Sequence, residues 1–323
     1  MDNTEQRQQP PREQLPWERE VLTRLATAAV DEQRRARRWS AVFKGLFLGY
    51  LLLVLLLVYQ PFQVDERATP HAALVDVQGI IADNSQANAD AITSSLRAAF
   101  QDQHSVGVIL RINSPGGSPV QAGYINNEIK RLRDEFPDKP LYAVITDIGA
   151  SGGYYIAASA NAIYADQASI VGSIGVVMNS FGFVDALDKL GVERRILAAG
   201  ENKAFLDPFS PLKSDEVAHI QTMLDRIHQQ FVEVVREGRG SRLSDDPRIF
   251  TGLVWTGEES MDLGLVDGLG SSGYVAREVL GVERMIDYTR RPHYLDLLTE
   301  RLGVALGRGV AQVLGTDQGP TLR

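Results

Sequence analysis

Residues 106–153 read VGVILRINSPGGSPVQAGYINNEIKRLRDEFPDKPLYAVITDIGASGG. Two apolar runs, 106–112 and 141–145, each lead into a glycine-rich turn, 113–117 and 147–153. Each run predicts a strand ending in a tight turn, with a helical pattern behind it: near 120–135 after the first, and after Ser151 in the second. Strands alternating with helices predict a parallel, layered α/β sheet. The near-continuous apolar run at 106–110 fits a sheet covered on both faces. Outward from this stretch, 73–77 predicts a strand ending near Gly79. Residues 88–101 carry Ile92, Leu96 and Phe100 at helical spacing. Further strands are expected at 162–165, 173–177 and 195–199. A long helix is expected over 214–238, with Ser214 as its N-cap. No internal repeat is visible.

The bulk numbers exclude several classes of function. The 323 residues are 44% hydrophobic and 23% charged, enough for a packed core in one large domain or two. A net charge of -8 without a basic stripe argues against a nucleic-acid partner. The absence of cysteine removes disulfides, thiolate nucleophiles and cysteine-bound zinc. The histidines His71, His104, His219, His228 and His293 form no metal-binding motif and read as solvated. No cofactor or metal is expected.

Residues 45–59 read GLFLGYLLLVLLLVY without a charge. Extension to residues 41–60 admits only Lys44, whose stem can snorkel to the headgroups, and gives the length needed to cross a bilayer. Arg34, Arg35, Arg37, Arg38 and Lys44 lie before the span; Asp65, Glu66 and Arg67 lie after it. This bias puts the N-terminus in the cytoplasm and the rest outside. The expected organisation is a cytoplasmic tail over 1–40, disordered over 1–20 with a short amphipathic helix at 21–38. A transmembrane helix over 41–60 follows, then a linker over 61–71, a domain over 72–282, and a tail over 283–323 with an amphipathic helix at 294–314.

The second turn places Ser151 where a nucleophile belongs. A serine hydroxyl is weak until something takes its proton, and no histidine lies between residues 105 and 218. A lysine serves if burial lowers its pKa from about 10.4 toward neutral. Of six lysines, Lys44 flanks the span, Lys130 and Lys189 sit in polar helical stretches, and Lys139 lies in a loop. Lys203 precedes Ala204, Phe205 and Leu206 and has the most apolar setting. Lys213 is second, but Asp215 and Glu216 would hold it charged. Ser173 heads a strand and could orient the lysine. Backbone N–H groups of Gly117 and Gly152 are the natural donors for an oxyanion, since glycine lets substrate approach the backbone.

Residues 113–117, 147–153 and 172–175, with Lys203, resemble the signal peptide peptidase A family (peptidase family S49, short single-domain form), the membrane-anchored Ser-Lys peptidases of bacteria. The resemblance spans about residues 72–282 and includes the late elements 254–257 and 264–267. It implies Ser151 as nucleophile, Lys203 as general base, Ser173 as the lysine-orienting hydroxyl, and Gly117 and Gly152 as the oxyanion hole. It also implies the layered α/β spiral of the Clp protease and crotonase fold, and a homo-oligomeric ring in which adjacent chains complete each site. The implied substrates are signal peptides and other apolar peptides near the bilayer. The implied location is the bacterial inner membrane, with the catalytic domain on the periplasmic or extracytoplasmic side. Two other classes of function fit parts of the pattern. A crotonase-type acyl-CoA enzyme would use the glycine N–H pair on a thioester, although CoA is cytoplasmic. An inactive scaffold for membrane proteins would not need the intact serine, lysine and donor set.

Overall fold

The computed structural model describes residues 16–59 and 68–290. The chain divides into two compact units, Met1–Asp65 and Glu66–Arg323. In the first, α1 (Pro16–Tyr59) is one continuous helix of 44 residues. It replaces the separate short helix expected at 21–38, and it already includes residues 16–20, expected as disordered. The segment Glu32–Leu55 within it is long and apolar enough to cross a membrane, with mean hydropathy 1.5 and none of it buried. Residues 1–15 and the helix expected at 294–314 lie outside the described residues.

The second unit opens with β1 (His71–Gln78). Next comes α2 (Ala89–Gln101), started by the Asn88 side chain, which accepts from the Ala91 N–H at 2.8 Å. After β2 (Ser105–Ser114), α3 (Pro119–Glu135) begins at an Ser118 N-cap with proline in its first turn. Then follow β3 (Leu141–Ala150), α4 (Gly152–Ala157), β4 (Ala162–Ala165), β5 (Ile170–Gly172) and α5 (Val184–Lys189). The long helix α6 (Ser214–Arg239) leads to β6 (Val254–Thr256), α7 (Gly257–Asp262) and β7 (Gly268–Leu269). Last come α8 (Ser272–Tyr274), which continues as a π turn to Val279, and β8 (Met285–Asp287).

Among the described residues eight strands form one sheet in the order β6-β5-β3-β2-β1-β8, with β4 also on β3 and β7 on β4. Every pairing is parallel except β5 with β6. The alternation of strands and helices thus yields the expected α/β sheet, but with β6 antiparallel on β5 where a parallel sheet was expected. Alternation within β2 shows why its run is apolar throughout. Val108, Leu110 and Ile112 enter the large core under α2, α3 and α4, while Ile109 enters a second cluster with Ala72, Leu74, Val144, Val275 and Ala276. The sheet also takes in His71 and Met285–Asp287, on either side of the expected 72–282 limits.

β3 changes partner along its length. Its first part pairs with β4 (Tyr142 to Ile145), its last with β5 (Ile148 to Ala150). The change sets the end of β3, and Ser151 beyond it, beside β5 instead of β4.

Three local expectations differ from the structure. The strand expected at 173–177 is β5 and stops at Gly172, because Ser173 turns to φ 51°. Residues 195–199 form no strand, and Leu197 is fully exposed. Lys213, not Ser214, is the N-cap of α6 and makes no side-chain cap.

Candidate active site

The first turn is built so that one amide is left over. Ser114 Oγ accepts the Gly116 N–H at 3.1 Å. Residues beyond β1 then reach across: the Ile81 N–H donates to the Gly116 carbonyl at 2.9 Å, and the Ser118 N–H donates to the Ile81 carbonyl at 2.8 Å. The Gly117 N–H between them has no partner among the described residues.

The second turn repeats the outcome. The Ser151 N–H donates to Gly172 O at 2.8 Å, and Ser151 O accepts from the Tyr155 N–H at 2.9 Å. Ser151 is thereby held at φ 51°, ψ -122°, at the cap of α4. A non-glycine residue there costs about 1–3 kcal/mol. The next amide, Gly152 N–H, is the first of the helix and has no partner among the described residues.

The two turns touch. Gly116 has φ +103°, and a Cβ on it would fall 2.7 Å from both Gly152 N and Ser151 Cβ. A Cβ on Gly152 would fall 3.3 Å from Gly117 N. Two unpaired backbone donors therefore adjoin one another beside the Ser151 side chain. Such a pair can bind an oxygen that gains negative charge.

Ser173 stands next to Ser151 by register. Ala150 pairs with Gly172 on parallel strands, so the two serines are the next residues along neighbouring strands, which run about 4.8 Å apart. Ser173 also has positive φ, 51°, and its N–H donates to Leu253 O at 2.7 Å. The site thus gathers Ser151, Ser173, Gly117 and Gly152.

Lys203 stands apart from this group in its contacts. It lies in the turn before Leu206, is exposed, and Nζ has no hydrogen-bond partner among the described residues. Its apolar neighbours in sequence, Phe205 and Phe209, are exposed as well. Three other lysines are occupied. Lys130 pairs with Glu237 at 2.6 Å. Lys213 bonds Glu216 at 3.1 Å, and that hydrogen bond and charge raise its pKa, as its acidic surroundings foretold. Lys139 is half-buried, and burial lowers its pKa, but its amine donates to the carbonyls of Phe100 and Asp102. It precedes β3 whereas Ser151 follows it, roughly 30 Å of strand away. Among the described residues no cluster of histidine or carboxylate side chains could hold a metal ion.

Sequence reasoning missed two side chains beside this group. His228 Nε2 lies 3.2 Å from Ile174 O, the carbonyl just after Ser173. Trp255 lies against Gly172, where a Cβ would fall 3.0 Å from the indole Cδ1. The antiparallel pairing of Val171 with Trp255 accounts for that contact, and a strand at 254–256 could have signalled it.

Residues 134–281 match the family model described as Peptidase family S49. The slr0021 protein of Synechocystis sp. is 30% identical over 65% of this chain and 73% of its own. The chain belongs to peptidase family S49. The chloroplastic serine protease SPPA of Arabidopsis thaliana is 31% identical over 56% of this chain and 27% of its own length. A protein named Na(+)/H(+) antiporter NhaA, from Brucella abortus, is 46% identical over 186 residues, which are 58% of this chain and 25% of that one. The match thus covers about a quarter of that relative. Within the family, the matched stretch holds Ser151, Ser173 and Lys203, while the first donor turn at 113–117 precedes it.

Proposed function

We propose that the protein is a membrane-anchored serine endopeptidase with a Ser-Lys dyad, acting on signal peptides and other apolar peptides near the bilayer. The observation that carries the reading is the pair of unpartnered N–H groups, Gly117 and Gly152, beside a serine held at positive φ. In the reaction, Ser151 Oγ attacks the carbonyl carbon of the scissile bond and gives its proton to the neutral amine of Lys203. The oxyanion forms between the two N–H groups, each worth about 3 kcal/mol. The C–N bond then breaks, and the Lys203 ammonium protonates the departing amine. Water, deprotonated by the same amine, attacks the acyl ester and releases the acid. Ser173 orients the lysine.

A single chain leaves Lys203 in water, whereas a lysine base works when desolvated. A neighbouring copy would supply that burial. Val177, Phe181, Leu190 and Leu197, on either side of α5, are all largely exposed, as fits a surface that other copies cover. The reading is therefore a homo-oligomeric ring whose adjacent chains complete each site. The change of partner along β3 fits the Clp protease and crotonase spiral. The arginines before the apolar part of α1 favour a cytoplasmic N-terminus at the bacterial inner membrane, with the catalytic domain outside.

Labelling with a serine-directed fluorophosphonate tests the chemistry. The parent chain is expected to label at Ser151 and to hydrolyse a fluorogenic apolar peptide. Ser151→Ala should lose both, and Lys203→Ala should lose turnover by at least about 1,000-fold, each with a near-parental melting temperature. Normal turnover by either variant refutes the dyad.

A further inference from the structure

His228 lies in the middle of α6 and is half-buried. Its Nε2 stands 3.2 Å from Ile174 O. A carbonyl oxygen only accepts, so this nitrogen carries the hydrogen. Three residues on, and on the same helix face, the Phe231 ring packs 5.1 Å from the ring of Tyr155. Tyr155 belongs to α4, and its N–H bonds Ser151 O. One face of α6 therefore grips both the helix that begins at Ser151 and the turn that carries Ser173.

The Ile174 side chain is fully buried in the core and anchors the turn on that side, while few hydrogen bonds hold its backbone. Ser173 sits at φ 51° with its N–H on Leu253 O, and the Gly175 N–H bonds back to Ser173 O at 3.0 Å. Beyond Gly175 no regular structure returns until Val184. Among the described residues the His228 bond is the one hydrogen bond to the Ile174 carbonyl, so its loss leaves that carbonyl to seek another partner and disturbs the turn that Ser173 begins.

We propose that His228 is a positioning residue, whose Nε2–H clamps the Ile174 carbonyl and so fixes the Ser173 hydroxyl relative to Ser151. The proposal rests on the Ser-Lys reading above. It assigns His228 no contact with substrate.

The test uses the full chain in detergent micelles, with Trp17→Phe and Trp39→Phe. Trp255 is then the one remaining tryptophan of three, and it lies against Gly172 next to the clamped turn. His228→Gln keeps an N–H donor of similar reach; His228→Glu has the same shape but only accepts. The Gln variant is expected to keep kcat within about threefold of the parent. The Glu variant should lower kcat by about 10- to 100-fold at unchanged KM and shift Trp255 emission to longer wavelength. Should the Glu variant melt below the assay temperature, His228→Met, similar in length without an N–H, takes its place with the same expected result. Equal turnover in the donor and non-donor variants overturns the clamp, as does equal loss in both. Trp255 emission unchanged across the series overturns it too. That emission needs no turnover, so it decides the clamp even if Ser151→Ala proves active and the dyad falls.

Discussion

At the scale of single residues, the site depends on backbone conformations that ordinary side chains resist. Gly116 shows how little room is left. At φ +103°, with Gly152 N and Ser151 Cβ each 2.7 Å from where a Cβ would go, it cannot become alanine unless the nucleophile moves. Gly116→Ala is expected to slow fluorophosphonate labelling of Ser151 by about 100-fold or more. A parental labelling rate would show that the close approach is dispensable. Residues of this kind were legible in the sequence, because a glycine pair after an apolar run is a local signal. Ser173 was singled out as the head of a strand, but it follows the last residue of β5 instead. His228 was not legible: its partner lies 54 positions away in the chain, and a histidine on a polar helix looks like any solvated histidine. Lys203 was singled out for its apolar neighbours in sequence, but Phe205 and Phe209 face outward with it.

At the scale of elements, apolar runs with turns behind them placed β4 to the residue and β1 and β2 to within two, while β3 runs on to Ala150, past the apolar run that predicted it. The segment 195–199 failed as a strand because Ile196 and Leu197 have no strand to pair with and no core to enter. Apolar periodicity reports that a surface is to be covered, not what covers it. The end of α6 is tied to β4 and to the segment before β7 by a buried charge that periodicity could not show. Arg239, at the end of α6, is 1% exposed. Its guanidinium donates to both oxygens of Asp267, at 2.7 and 2.9 Å, and to Gly264 O at 2.8 Å. Asp267 in turn accepts the Ile163 N–H of β4 at 2.7 Å. Burial opposes ionisation of Asp267, but the hydrogen bonds from Arg239 and Ile163 outweigh it and hold the carboxyl below its ordinary value. A depressed carboxyl stabilises the fold fully above its unfolded pKa of about 4. That contribution is lost as pH falls through the folded value. The melting temperature is therefore expected to hold between about pH 5 and 7 and to fall below about pH 4. Asp267→Asn strands the guanidinium, should cost about 3–5 kcal/mol, and should flatten that acid limb. An unchanged limb would place the acid sensitivity elsewhere.

At the scale of the whole molecule, the proposed assembly would account for what one chain leaves unfinished: an outward-facing lysine and a run of exposed apolar side chains. If neighbours complete each site, chains carrying Ser151→Ala mixed with chains carrying Lys203→Ala should regain activity. Random pairing in a ring would restore about a quarter of the parental sites, since each site needs one intact partner of each kind. Silence in mixed oligomers, verified by two distinct affinity tags, would rule out sharing. The size of the proposed ring has no trace in the sequence, because subunit number would be set by the angle between contacting surfaces, which no periodicity records.

On this reading the outward lysine acts as a safety catch. A solitary copy, newly inserted and thinly scattered, carries a blunt serine and harms nothing folding nearby. Specific activity should therefore collapse on dilution, and crowding alone would arm the enzyme.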